Sequence, residues 1–66
     1  MIWKEINKKH YCLFDENNIL IAEIKKPPAI REWSVRINEI FCGWSPNERL
    51  AKARVEQLLQ ENGENK

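Results

Sequence analysis

The stretch WSVRINEIFCGWSPNERL, residues 33–50, decides the fold of this chain. Trp33, Val35 and Ile37 alternate with Ser34 and Arg36, and a period of two marks a strand with one buried face. Asn38-Glu39 reads as a tight turn into Ile40-Phe41-Cys42, the alternative being a single strand that continues through a kink. Ser45-Pro46-Asn47-Glu48 then reads as a capping box, with Ser at the N-cap, Pro at the first helical position and Glu at the third. Beyond it Ala51, Val55, Leu58 and Leu59 form an apolar helical stripe with Leu50 at its edge. Arg49, Lys52, Glu56 and Gln60 fall on the opposite side, and Glu48 stands four residues before Lys52. Asn62-Gly63 is a stop signal.

Working back towards the N-terminus, Pro27-Pro28 ends a preceding strand, because neither residue donates to a ladder. In that strand Leu20, Ala22 and Ile24 share one face, with Ile21 and Glu23 on the other. Asp15-Glu16-Asn17-Asn18 is a turn, since Asp and Asn tolerate left-handed backbone and bond their own main chain. The expected strands are therefore about 10–14, 19–25, 32–37 and 40–43, followed by a helix at about 46–61 and a frayed tail at 63–66. Trp3 to Ile6 is a further short-strand candidate, cut off by Asn7-Lys8-Lys9. The class is α+β: an antiparallel three- to four-stranded meander with one C-terminal helix packed on one face. The other face has no second helix to cover it, and binding is to be sought there.

At 66 residues the chain is one domain, with an expected radius of gyration of roughly 11 Å. That size holds one sheet and one helix but no enclosed cofactor cavity. Eleven Lys and Arg against ten Asp and Glu give a net charge of +1. This balance argues against a generic nucleic-acid coat or a polybasic membrane anchor. No apolar run approaches the roughly 20 residues of a membrane span, and the N-terminus has no signal-like stretch. A cytoplasmic protein with no membrane partner is the expectation.

Catalytic constellations are sparse. There is no glycine-rich phosphate loop and no Ser, His and Asp set. His10 and Cys12 sit two apart on a strand and so share a face, which would let His10 activate the thiol. The alternative places Cys12 and Phe14 in the core on the helix side, with His10 at the strand edge. With two Cys and one His, a four-ligand zinc site needs carboxylates. No catalytic residue, cofactor or metal is assigned, and a non-enzyme is expected. Cys12 and Cys42 are expected as reduced thiols, a disulfide between neighbouring strands being the alternative.

Three Trp are too many for a domain this thin to bury completely. Trp3 and Trp33 are interaction candidates, because Trp beside Arg is enriched in binding hot spots. For Trp33 the competing role is a core plug, as it is for Trp44. Lys25, Arg31 and Arg36 are the cationic candidates on or beside the central strands, and Lys26 extends the stripe while Glu23 and Glu32 interrupt it.

The run from Trp33 to Ser45, followed by Leu50-Ala51-Lys52-Ala53 and residues 55–59, resembles the strand, strand, glycine, capped-helix pattern of small phage and prophage proteins. It is also similar to the arm-binding domains of tyrosine integrases and to half of a double-stranded-RNA-binding domain. The resemblance implies topology and a mobile-element origin. Basic clusters of those nucleic-acid families are missing here, where Pro46-Asn47-Glu48 stands instead. The functional expectation is a small binding protein that occupies a host protein through the open sheet face. The alternative is a nucleic-acid-binding module using the basic residues of the sheet, and an edge strand offers a route to a homodimer.

Overall fold

The computed structural model describes the backbone of residues 1–64 and the side chains of residues 1–61. The class is α+β, as the sequence implies. Five antiparallel strands run in sequence order: β1 (Ile2–Asn7), β2 (His10–Phe14), β3 (Leu20–Lys25), β4 (Trp33–Ile37) and β5 (Ile40–Ser45). One helix, α1 (Glu48–Glu64), follows and packs across β3, β4 and β5. Among the described residues no helix is long and apolar enough to cross a membrane.

Each hairpin turn has a local cause. Asp15 Oδ1 accepts from the amides of Asn17 at 2.8 Å and Ile19 at 2.9 Å, while Asn18 takes a φ of 63°. Asn38 and Glu39 both have positive φ, 53° and 68°, the pattern of a type I′ turn, whose twist matches that of the flanking strands. The break is thus a true hairpin rather than a kink. Asn7 Oδ1 accepts from the Lys9 amide at 2.8 Å, which turns the polar Asn7-Lys8-Lys9 run into the β1–β2 connection. The sheet accordingly has five strands, more than the three or four expected. β1 escapes the alternation test because its residues, apart from half-buried Trp3, are exposed at the sheet's edge.

The core lies between sheet and helix: Leu13, Ala22, Ile24, Trp33, Val35, Ile37, Ala51 and Val55, with Leu58 and Leu59 packed against it. The apolar stripe of the helix is as the sequence predicts, and Leu50 remains largely exposed at its edge. Glu48 and Lys52 form their ion pair at 3.0 Å. Lys52 and the still exposed Glu56, however, reach back to the sheet. Lys52 Nζ lies 4.1 Å from the Tyr11 ring centroid, and Glu56 Oε2 accepts from Trp3 Nε1 at 3.2 Å. These contacts tie the helix to β1 and β2, beyond the strands it covers directly.

Two helix boundaries differ from the sequence reading. The N-cap is Asn47, not Ser45: Asn47 Oδ1 accepts from the Leu50 amide at 2.8 Å, and its carbonyl accepts from the Ala51 amide at 3.0 Å. Ser45 is unavailable because it is the last residue of β5, buried and paired with Trp33. At the other end the helix continues through Gly63 to Glu64. Of the tail expected to fray, Asn65 and Lys66 lie outside the described residues.

Candidate binding face

Cross-strand pairing lays out the uncovered face as a grid. Residues directly opposite in an antiparallel sheet share a face. One row runs Lys4, Cys12, Glu23, Arg36, Phe41 across all five strands. The next runs His10, Lys25, Ser34, Trp44 across β2 to β5. Tyr11 and Leu13 face the helix, opposite Ile24 and Ala22. Cys12 and Phe14 are therefore on the open face, not the helix side, because the buried residues of β3 fix the parity of β2.

A β-bulge in β5 builds the aromatic end of this face. Arg36 pairs with Phe41 but Ser34 pairs with Trp44, so Cys42 and Gly43 together oppose Val35. Gly43 adopts a φ of +111°, accessible mainly to glycine. Without the extra residue Phe41 and Trp44, three apart, would point to opposite faces. With it they share the open face in an edge-to-face contact, ring centroids 5.6 Å apart. Both remain substantially exposed, Phe41 at 49% and Trp44 at 44%. A shallow groove of ≈ 450 Å³ is lined by this pair together with Lys25, Pro27, Pro28 and Arg36. Arg36 and Glu23 also border a second depression towards Leu20 and Asn38.

The residues singled out from sequence distribute as follows. Lys25 and Arg36 are on the open face and border the groove. Arg31 is exposed in the β3–β4 loop, outside the groove lining. Trp33 is a core residue, 7% exposed and tilted against Tyr11 at 5.9 Å. Trp3 lies on the helix side, under Lys52 and bonded to Glu56. Phe41 and Trp44 are the aromatics that the sequence reading missed on this face. Their signal was the glycine between them, since a lone Gly inside a strand pattern marks a bulge.

Beside the groove His10, Cys12 and Glu23 converge. His10 Nε2 lies 2.5 Å from Glu23 Oε2, and Cys12 Sγ lies 3.5 Å from the same nitrogen and 3.8 Å from the same oxygen. Burial and the Glu23 carboxylate push the Cys12 thiol up from its ordinary value. A nucleophile–base–carboxylate relay uses the two ring nitrogens for different partners. Here both partners meet at Nε2, the thiol is 6% exposed, and its proton is held more firmly. That is not the geometry of a thiolate nucleophile.

Cys12 and Cys42 are both free. They stand on β2 and β5, three strand spacings or about 14 Å apart at the usual ~4.8 Å per strand. A disulfide needs Cα atoms within roughly 7 Å, so the pairing that sequence left open is excluded by topology.

No family model, curated protein or solved structure matches this chain. Lys4, Lys25 and Arg36 stand there against Glu23, so the open face is more cationic than the nearly neutral chain.

Proposed function

We propose that this chain is a small binding protein that acts without catalysis, docking a partner protein on the open face of its sheet. The observation that carries the reading is the Phe41–Trp44 pair, held half-exposed beside Arg36 at the rim of a groove. A few hot-spot residues, enriched in Trp, Tyr and Arg, carry most of the binding energy of protein interfaces. A bulge that spends a glycine to bring two large aromatics onto the uncovered face disfavours their burial in the chain's own core. The partner expected is one that offers an apolar anchor flanked by acidic groups, matching Lys25 and Arg36.

The test is affinity capture from the cell in which the protein works, wild type against Trp44→Ala and Arg36→Glu, with nuclease added. A protein retained by wild type and lost from both variants supports the reading. Equal retention by all three overturns it.

A second reading, a single-stranded nucleic acid laid across the sheet, is favoured by Lys4, Lys25 and Arg36 sharing a face with stackable rings. Three phosphate contacts would give a slope of log K against log salt of about −2. Oligonucleotide anisotropy at several salt concentrations measures it directly.

A further inference from the structure

The convergence of His10, Cys12 and Glu23 is not explained by the groove. These residues present one nitrogen, one sulfur and one oxygen within 4.8 Å of one another. Two adjacent strands of the sheet interior hold them: His10 and Cys12 are alternate residues of β2, and Glu23 stands directly opposite Cys12 on β3. The cluster is partly enclosed despite lying on the open face, with Cys12 6% exposed and the His10 and Glu23 side chains at 19% and 31%.

The two sulfur separations are those of ligands around a small cation. Zinc bonds of about 2.3 Å to sulfur and about 2.0–2.2 Å to nitrogen or oxygen, at tetrahedral angles, place sulfur about 3.6 Å from each of the other donors. The observed 3.5 and 3.8 Å bracket that value. The same angles place nitrogen and oxygen about 3.3 Å apart, wider than the 2.5 Å hydrogen bond that the metal would replace. Thiolate, imidazole and carboxylate together are a zinc-type donor set. Charge also balances: a thiolate and a carboxylate neutralise a dication, leaving no uncompensated charge among the three ligands. Lys4, the cation opposite Cys12, turns its ammonium over the Phe14 ring, 5.0 Å from the centroid.

We propose that His10 Nε2, Cys12 Sγ and Glu23 Oε2 form a three-ligand site for a zinc-class divalent cation, its fourth position open to water or to an incoming donor. On binding, the Sγ–H bond breaks, its proton passes to buffer, and the sulfur lone pair forms the metal bond. The proton shared between His10 Nε2 and Glu23 Oε2 moves to His10 Nδ1, so the imidazole stays neutral with its Nε2 lone pair free for the metal, and the carboxylate enters ionised. Glu23 also lines the groove, so metal site and binding face share a residue.

The experiment is titration of the full chain, kept reduced by a non-chelating phosphine, with Zn²⁺ by calorimetry and with Co²⁺ by absorbance. The expected result is a 1:1 complex whose Co²⁺ form shows a thiolate-to-metal charge-transfer band and four-coordinate visible bands. Cys12→Ser and His10→Ala each weaken Zn²⁺ binding by more than the roughly 100-fold upper limit for losing an outer-shell partner, whereas Cys42→Ser leaves it unchanged. Glu23→Gln preserves side-chain size, so its loss of affinity with unchanged far-UV circular dichroism separates ligation from folding. Absence of stoichiometric uptake overturns the proposal, as does binding that survives Cys12→Ser or a Co²⁺ spectrum without the thiolate band.

Discussion

Replacing Gly43 with Ala tests how the open face is built. A Cβ at Gly43 meets no atom within 4 Å, so the substitution adds no steric clash with its surroundings. Its whole cost is backbone: Gly43 has a φ of +111°, a region that L side chains rarely adopt, and such strain costs of order 1–3 kcal/mol. Total stability at about 0.05–0.15 kcal/mol per residue is roughly 3–10 kcal/mol for a chain of this length, so a mid-range loss of about 2 kcal/mol is large yet leaves a folded protein. With about 4–8 °C per kcal/mol for small domains, a 2 kcal/mol loss lowers the melting temperature by about 8–16 °C. Thermal unfolding followed by far-UV circular dichroism reads it. Gly43→Ser should match Gly43→Ala within about 0.5 kcal/mol, since both side chains enter open space. A melting temperature for Gly43→Ala within a degree of wild type would refute the bulge as the source of the constraint. A Ser variant much worse than Ala would show a steric wall that the structure lacks.

Other substitutions probe the remaining elements. Glu39→Gly relieves a positive φ of 68° in a type I′ turn and should stabilise by about 1 kcal/mol, read as a higher melting temperature. Asn47→Ala removes the N-cap bond to Leu50 and should cost about 1 kcal/mol, with Ser45→Ala losing no capping bond. Val55→Ala opens a fully buried site and should cost about 2 kcal/mol in denaturant unfolding. The Glu48 carboxylate first, then desolvation and the Glu5 carboxylate, push Tyr11 from 10.0 up to about 12. Because the folded form holds the phenol proton more tightly, the associated stability is present below about pH 10 and lost as pH rises towards 12. Tyr11 is the only tyrosine, so the phenolate absorbance reports its midpoint without ambiguity.

The elements most legible in the sequence were those set by local chemistry. The Asp15–Asn18 turn, the Asn38-Glu39 turn and the Trp33–Ile37 alternation each act within a few residues, and each stands in the structure. What escaped depends on pairing. Whether Cys12 faces the helix is decided by Ala22 and Ile24 across the strand, not by its own neighbours. Trp44 resembles Trp33 in sequence, yet one extra residue at Gly43 sends it to the opposite face. Ser45 has the chemistry of an N-cap but is held in β5 by Trp33, which moves the cap to Asn47. Lys25 and Arg36 were legible as face residues from parity alone. The His10, Cys12 and Glu23 cluster needed the β2–β3 register, which no single strand encodes.

The central claim is that partners meet this protein on the Phe41–Trp44 end of the sheet and not on its helix. A photo-crosslinking amino acid placed at Phe41, and separately at the exposed helix position Arg54, tests it inside the cell. The account predicts a discrete, protease-sensitive and nuclease-resistant adduct from position 41, abolished by Arg36→Glu, and none from position 54. An adduct that forms from position 54 and not from position 41 would contradict it.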